Sequence, residues 1–197
     1  MLVYEIEGLI PVISKKAFVH ETAVIIGDVI IEEGAYIGPH ASIRGDFGRI
    51  IIGKNVNIQD CCVLHGYTDM DTIVEENGHI GHSAVLHSCH IKYNAMVGMG
   101  AIVMDGAIVG CNSIVGASSL VPGKMDIPDN HLAIGVPAKI KRELSNQEID
   151  WKTDSTQSYI ELTSRCLKDY SPCSPLDTLS ADRDAQRFDM DYKPKNN

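Results

Sequence analysis

Four successive blocks, Ala95-Met96-Val97-Gly98-Met99-Gly100, Ala101-Ile102-Val103-Met104-Asp105-Gly106, Ala107-Ile108-Val109-Gly110-Cys111-Asn112 and Ser113-Ile114-Val115-Gly116-Ala117-Ser118, each open on a small residue and carry a valine in third place. Working outward, the same aliphatic slot recurs every sixth residue at Val19, Ile25, Ile31, Ile37 and Ile43, then at Ile52, Ile58 and Leu64, then at Val74, Ile80 and Leu86. After a step of five the phase resumes at Ile91 and runs to Val121. A small residue follows most of these by four, as at Ala23, Ala41, Cys62, Ala84, Ala101 and Ser119.

A period of six fits neither a helix at 3.6 residues per turn nor plain strand alternation, but it suits a short strand and a tight corner repeated around a coil. Three such strands close a turn of about 18 residues, and successive turns stack at about 4.8 Å. The aliphatic residue fills the inside and the small residue the corner. Gly27, Gly34, Gly38, Gly98, Gly106, Gly110 and Gly116 are expected to give the corners backbone freedom. The phase breaks at Ile43–Ile52, at Leu64–Val74 and at Leu86–Ile91 mark expected loops, all near a histidine cluster.

This divides the chain into an N-terminal cap strand (1–18), a mainly β parallel helix of hexapeptide repeats (19–121), a connecting loop with C-terminal helices (122–170) and an extended tail (171–197). Pro137 is expected to start one helix over Ala138–Leu144. The capping box Ser145-Asn146-Gln147-Glu148 opens a second, whose packed face reads Ile149, Thr156, Tyr159, Ile160, Thr163, Cys166, Leu167 and Tyr170. The prolines and charges after Ser171 read as a tail with little to bury.

The 197 residues include 17 Lys and Arg against 26 Asp and Glu, a net charge of −9 that repels nucleic-acid phosphates and anionic lipid. No nucleic-acid or membrane partner is expected. The start Met1-Leu2-Val3-Tyr4-Glu5-Ile6-Glu7 lacks the basic and apolar regions of a signal peptide, so the expected location is cytoplasmic. The six cysteines show no C-x-x-C pair and read as reduced.

Five of the eight histidines, His65, His79, His82, His87 and His90, fall within 26 residues. His65 follows the in-phase Leu64, and His87 follows the in-phase Leu86. Their separation of 22 is one turn plus the four-residue excess after Leu64, so the two imidazoles should stack on adjacent rungs as two ligands of one metal. His82 is the nearest third ligand, but it occupies a different slot and diverges on a rigid coil unless a neighbouring subunit brings it back. His79 and His90 read as supporting or exposed groups, and His20, His40 and His131 as structural.

Arg44-Gly45-Asp46, Asn57-Ile58-Gln59-Asp60, His65 and Gly81-His82 with His87 five residues on resemble the γ-class carbonic anhydrase family of left-handed β-helix trimers. Gly78-His79-Ile80-Gly81-His82-Ser83-Ala84 and the extension bearing Trp151 resemble the branch found in phenylacetic-acid degradation and carnitine operons. The resemblance spans Tyr4 to about Tyr170. It implies left-handed coiling, a homotrimer and a Zn2+ site (or iron or cobalt) held by His65 and His87 of one subunit and His82 of the next. It also implies Gln59 and Asn57 as catalytic groups facing a metal-bound hydroxide, Arg44 and Asp46 paired at the subunit interface, and Tyr67 as a substrate-binding residue. Phe47 and Thr68 replace acidic residues of the archetype, which argues against fast proton export in carbon dioxide hydration.

The reading that follows is a zinc-dependent hydrolase of acyl-coenzyme A thioesters in phenylacetate or carnitine metabolism. The alternatives are a carbonic anhydrase, a hexapeptide-repeat acyltransferase that uses a histidine base without metal, and an accessory scaffold.

Overall fold

The structure, a computed structural model, describes residues 1–179. The expected tail is therefore described only to residue 179, where 171–179 form neither helix nor strand and are exposed; its remainder lies outside the described residues.

Three parallel ladders carry the repeat. On the first face Val19, Ile37, Ile58, Ile80, Val97, Val115 and Ala133 stand in register. On the second the sequence is Ile25, Ile43, Leu64, Leu86, Val103 and Val121. On the third it is Ile31, Ile52, Val74, Ile91, Val109 and Ile127. Every one of these except Val19 is at most 1% exposed, so the stacked aliphatics form a single core. Full burial of one such side chain stabilises by about 1.5–3 kcal/mol, and the ladder repeats that gain on each rung. The mainly β, parallel coil expected from the period is thus the observed fold.

The corners match the expectation in part: Gly27, Gly34 and Gly106 have positive φ, and the other four glycines singled out do not. The left-handed backbone position falls three residues after the aliphatic slot, and after the third face it is asparagine on successive rungs, at Asn55, Asn77, Asn94, Asn112 and Asn130. Asparagine tolerates this conformation because its short amide bonds locally. Of the glycines singled out, Gly98 has no positive φ; a Cβ there would stand 2.5 Å from the Ala117 nitrogen of the next rung. Close backbone approach, rather than turn freedom, requires it.

Three further expectations are corrected. The excess between Ile43 and Ile52 does not bulge as a loop: Ser42–Ile52 is one continuous strand, paired with Val24–Ile31 and shifting register at Gly27. The coil also does not end at Val121. Ile127 and Ala133, at the next two sixth positions, are fully buried in register, although Pro122-Gly123 disguise the continuation. Finally, Ala138–Glu143 is not a helix but a strand antiparallel to His131–Gly135. The last rung would otherwise present unpaired N–H and C=O groups, and the hairpin satisfies them.

A single helix, α1 (Asn146–Asp169), follows and packs across the first face. The expected capping box is present: Ser145 Oγ accepts from Glu148 N at 3.3 Å, and Glu148 Oε2 accepts from Ser145 N at 3.0 Å. Thr156 and Thr163 are buried as expected, but Leu167 is exposed, and the anchor is Lys152, which is fully buried. Its Nζ donates to Asn77 O at 2.7 Å and to Asn94 Oδ1 at 2.6 Å. Asn94 in turn bonds Asn112, and Asn112 bonds Asn130, so the amine ends a ladder of corner amides.

Burial pushes the Lys152 ammonium from 10.5 down to about 7. Between those values the unfolded chain holds a proton that the native state has lost, so this group's contribution to stability rises with pH. Burial of the Cys62 and Cys89 thiols, pushed up to about 12, acts in the opposite sense only above pH 9. Between pH 7 and 8.5 the native protein should gain about 1–2 kcal/mol relative to a Lys152→Met variant. Thermal unfolding of both proteins followed by circular dichroism checks this; parallel curves would show that Lys152 keeps an ordinary pKa.

Candidate active site

The second face presents the stacked pair. His65 and His87 are register partners, and their ring centroids lie 5.3 Å apart. Each imidazole has one nitrogen held by a carboxylate. Asp46 Oδ1 stands 2.9 Å from His65 Nε2, and its other oxygen accepts from Arg44 at 2.6 Å. Asp105 Oδ1 accepts from His87 Nδ1. These bonds orient the rings and leave His65 Nδ1 and His87 Nε2 for other partners. The expected Arg44–Asp46 ion pair therefore forms within one chain and continues to His65.

Two exposed aromatic rings flank the pair. Phe47 lies 5.5 Å from the His65 ring, and Tyr67 meets the His87 ring edge-on at 5.3 Å. The loop carrying Tyr67 is pinned at both ends. Its N–H donates to Ser88 Oγ at 2.7 Å, while Thr72 Oγ1 donates to His65 O at 2.7 Å and accepts from Ser88 N at 2.9 Å.

His82 stands at a different corner, two residues after Ile80, with Nδ1 2.9 Å from Asp60 Oδ2. Asp60 fills the same slot one rung below, again 22 residues away. The sequence reading missed this partner although its spacing equals that of His65 and His87. Asp105 was missed because the phase slips by one after Leu86, which moves it to the corner beside His87. Within one chain no group of three His, Cys, Asp or Glu side chains capable of holding a metal ion occurs among the described residues. Within one chain, then, His65 and His87 stand together without His82.

Asn57 and Gln59 are placed elsewhere. Asn57 is fully buried, Gln59 is 3% exposed, and both meet His79 beneath α1. Gln59 Nε2 donates to Asn57 Oδ1 at 2.9 Å and stands 2.8 Å from His79 Nε2. Within one chain the Gln59 amide thus meets Asn57 and His79 and does not reach the His65–His87 pair. Asn57 likewise faces its buried partners and not an open site. Burial lowers the His79 imidazole to about 3, so it stays neutral. His90 is paired with Glu75 at 2.6 Å, and His20 bonds Thr22 and Tyr170.

No family model matches the chain. A carnitine operon protein CaiE from a Proteus species is 49% identical over 99% of both chains. Its counterpart from Citrobacter koseri is 47% identical, also over 99% of each. Among solved structures, a Bacillus cereus protein assigned as an acetyltransferase superposes with a TM-score of 0.83 at 38% identity, covering 84% of this chain and 96% of that one. A hexapeptide transferase family protein from Anaplasma phagocytophilum gives 0.80 at 37% identity, covering 83% and 96%. The carnitine-operon branch of the resemblance is thus the one these relatives carry; none of those named here is a γ-class carbonic anhydrase.

Breaking the Asn57–Gln59–His79 network should cost stability and nothing at the paired histidines. Asn57→Ala is expected to lower the unfolding free energy by about 1–3 kcal/mol, the cost of stranding buried polar groups. The His65 and His87 ring resonances in nitrogen-correlated NMR spectra should stay in place, and a shift of those resonances would return Asn57 to the site.

Proposed function

We propose that this chain, which belongs to the CaiE family of carnitine operon proteins, transfers acyl groups from coenzyme A thioesters in carnitine metabolism. The transferase names of the two solved relatives support acyl chemistry. The observation that carries the proposal is the His87–Asp105 pair. With Nδ1–H donated to Asp105, the lone pair sits on Nε2, the arrangement of a general base.

That nitrogen removes the proton of an acceptor hydroxyl or amine as the acceptor attacks the thioester carbonyl. The C–S bond then breaks, and the imidazolium returns the proton to the departing thiolate. His65, fixed through Asp46 and Arg44, holds its ring against His87. Tyr67 and Phe47 wall the place where the acyl group meets the pair. Assembly as a homotrimer brings His82 of a neighbouring copy to the same place and completes a set of three carboxylate-backed imidazoles.

A second reading, the zinc-dependent thioesterase, is favoured by the register of His65 and His87. The two side chains with His82 of a neighbouring copy would hold Zn2+, which when bound acidifies water for attack on a carbonyl. The reactions separate on one preparation stripped of metal and verified by mass spectrometry. Release of coenzyme A should then require an added acceptor, survive metal removal and fall at least a hundredfold in His87→Ala. Release without acceptor, abolished by stripping and restored by zinc, would replace transfer by hydrolysis.

A further inference from the structure

Helix α1 seals only part of the face it crosses. Tyr159 packs edge-on against Tyr36 and His79, each at 5.4 Å, and closes the lower rungs. Above His79, the outward side chains of Met96, Ile114 and Leu132 continue in register. There the helix stands off, roofed by Trp151 and Ser155, and leaves a groove of about 680 Å³. Three rung spacings make its line about 14 Å long.

The groove's wall is mostly apolar. Along the Met96–Leu132 line the strand amides are consumed by rung-to-rung bonds, such as Met96 N to Ser113 O and Gly116 N to Ala133 O. A ligand in this stretch meets hydrocarbon, thioether and the indole of Trp151; Ser155 and Glu148, whose carboxylate pairs with Arg142 at 2.8 Å, also stand in the lining. Polar groups gather at the other end, where Gln59, His79 and His82 line the groove. Gln59 and His79 are more than nine-tenths buried, while His82 opens to solvent beside Asp60. An extended apolar chain with a polar head matches this division; a highly charged nucleotide does not.

We propose that the groove beneath α1 is the acyl-chain site, holding the hydrocarbon chain of an acyl thioester with its carbonyl end at His82. This rests on the reading that the protein acts on acyl-coenzyme A thioesters, and it adds a selectivity for unbranched, medium-length apolar acyl groups. In the assembled trimer the head at His82 lies where the His65–His87 pair of the neighbouring copy receives it. The nucleotide of coenzyme A stays outside the groove.

Trp151 is the one tryptophan of the chain, so its emission reports occupancy without any turnover. The probes are unreactive thioether analogues of acetyl-, butyryl-, hexanoyl- and octanoyl-coenzyme A, measured by calorimetry and by Trp151 fluorescence on the full chain. Affinity should rise roughly tenfold for every two carbons added, with a parallel shift in emission. Ser155→Phe fills the groove and should abolish both effects of chain length while the acetyl analogue still binds. Gln157→Phe, on the exposed side of the helix, should change neither. If Ser155→Phe does not fold, the chain-length series on the native protein decides alone. Affinity independent of chain length, with unchanged emission, would overturn the groove as the acyl site and leave the thioester reading standing. Failure of every analogue to bind would overturn both.

Discussion

Rung-to-rung hydrogen bonding with one buried aliphatic per hexapeptide is the constraint on which the rest of the molecule depends. Because each turn repeats the one below in register, outward side chains in equivalent slots are forced into columns. Chemistry is then positioned by counting. The pairs Asn57–His79, Asp60–His82 and His65–His87 are each 22 residues apart, and each meets on adjacent rungs. The first makes a buried support, the second orients a corner imidazole, and the third forms the stacked pair. The same insertion after Leu64 sets all three separations and supplies the loop that carries Tyr67.

The coil was legible because its signal repeats: one ambiguous hexapeptide is corrected by its neighbours, and the aliphatic slot has the same environment on every rung. What was not legible depends on single events. Ala138-Lys139-Ile140-Lys141-Arg142-Glu143-Leu144 has helix-forming residues and also alternates, and the open edge of the last rung decides in favour of a strand. Lys152 reads as a solvated helix residue, yet the carbonyl of Asn77 and the end of an asparagine ladder take its amine inside. The long strand Ser42–Ile52 looked like a loop because the hexapeptide phase fails there, although backbone pairing continues.

At the site, the stacking of His65 and His87 followed from arithmetic, and so did the divergence of His82. The roles of the amides did not. Asn57 and Gln59 were given open positions by resemblance, whereas the structure turns both toward His79, a residue whose partners only the closing helix reveals. The carboxylates were invisible for another reason. Asp60 and Asp105 gain meaning only from the imidazoles above or beside them, and loop aspartates are ordinary in a chain of net charge −9. The helix thus has two functions: it buries the polar support at its tyrosine-bearing part and roofs an apolar groove nearer its start.

The central proposal is that the site forms between two copies, since His82 lies at a different corner of the coil from His65 and His87. The most direct test is to co-refold two inactive variants, His82→Ala and His65→Ala. Mixed trimers contain interfaces that pair the intact His65 and His87 of one variant with the intact His82 of the other. The account predicts that coenzyme A release from acyl-coenzyme A returns to a fraction of the native rate once mass spectrometry shows mixed assemblies. Mixed assemblies without any returning activity would contradict it and place the whole site within a single chain.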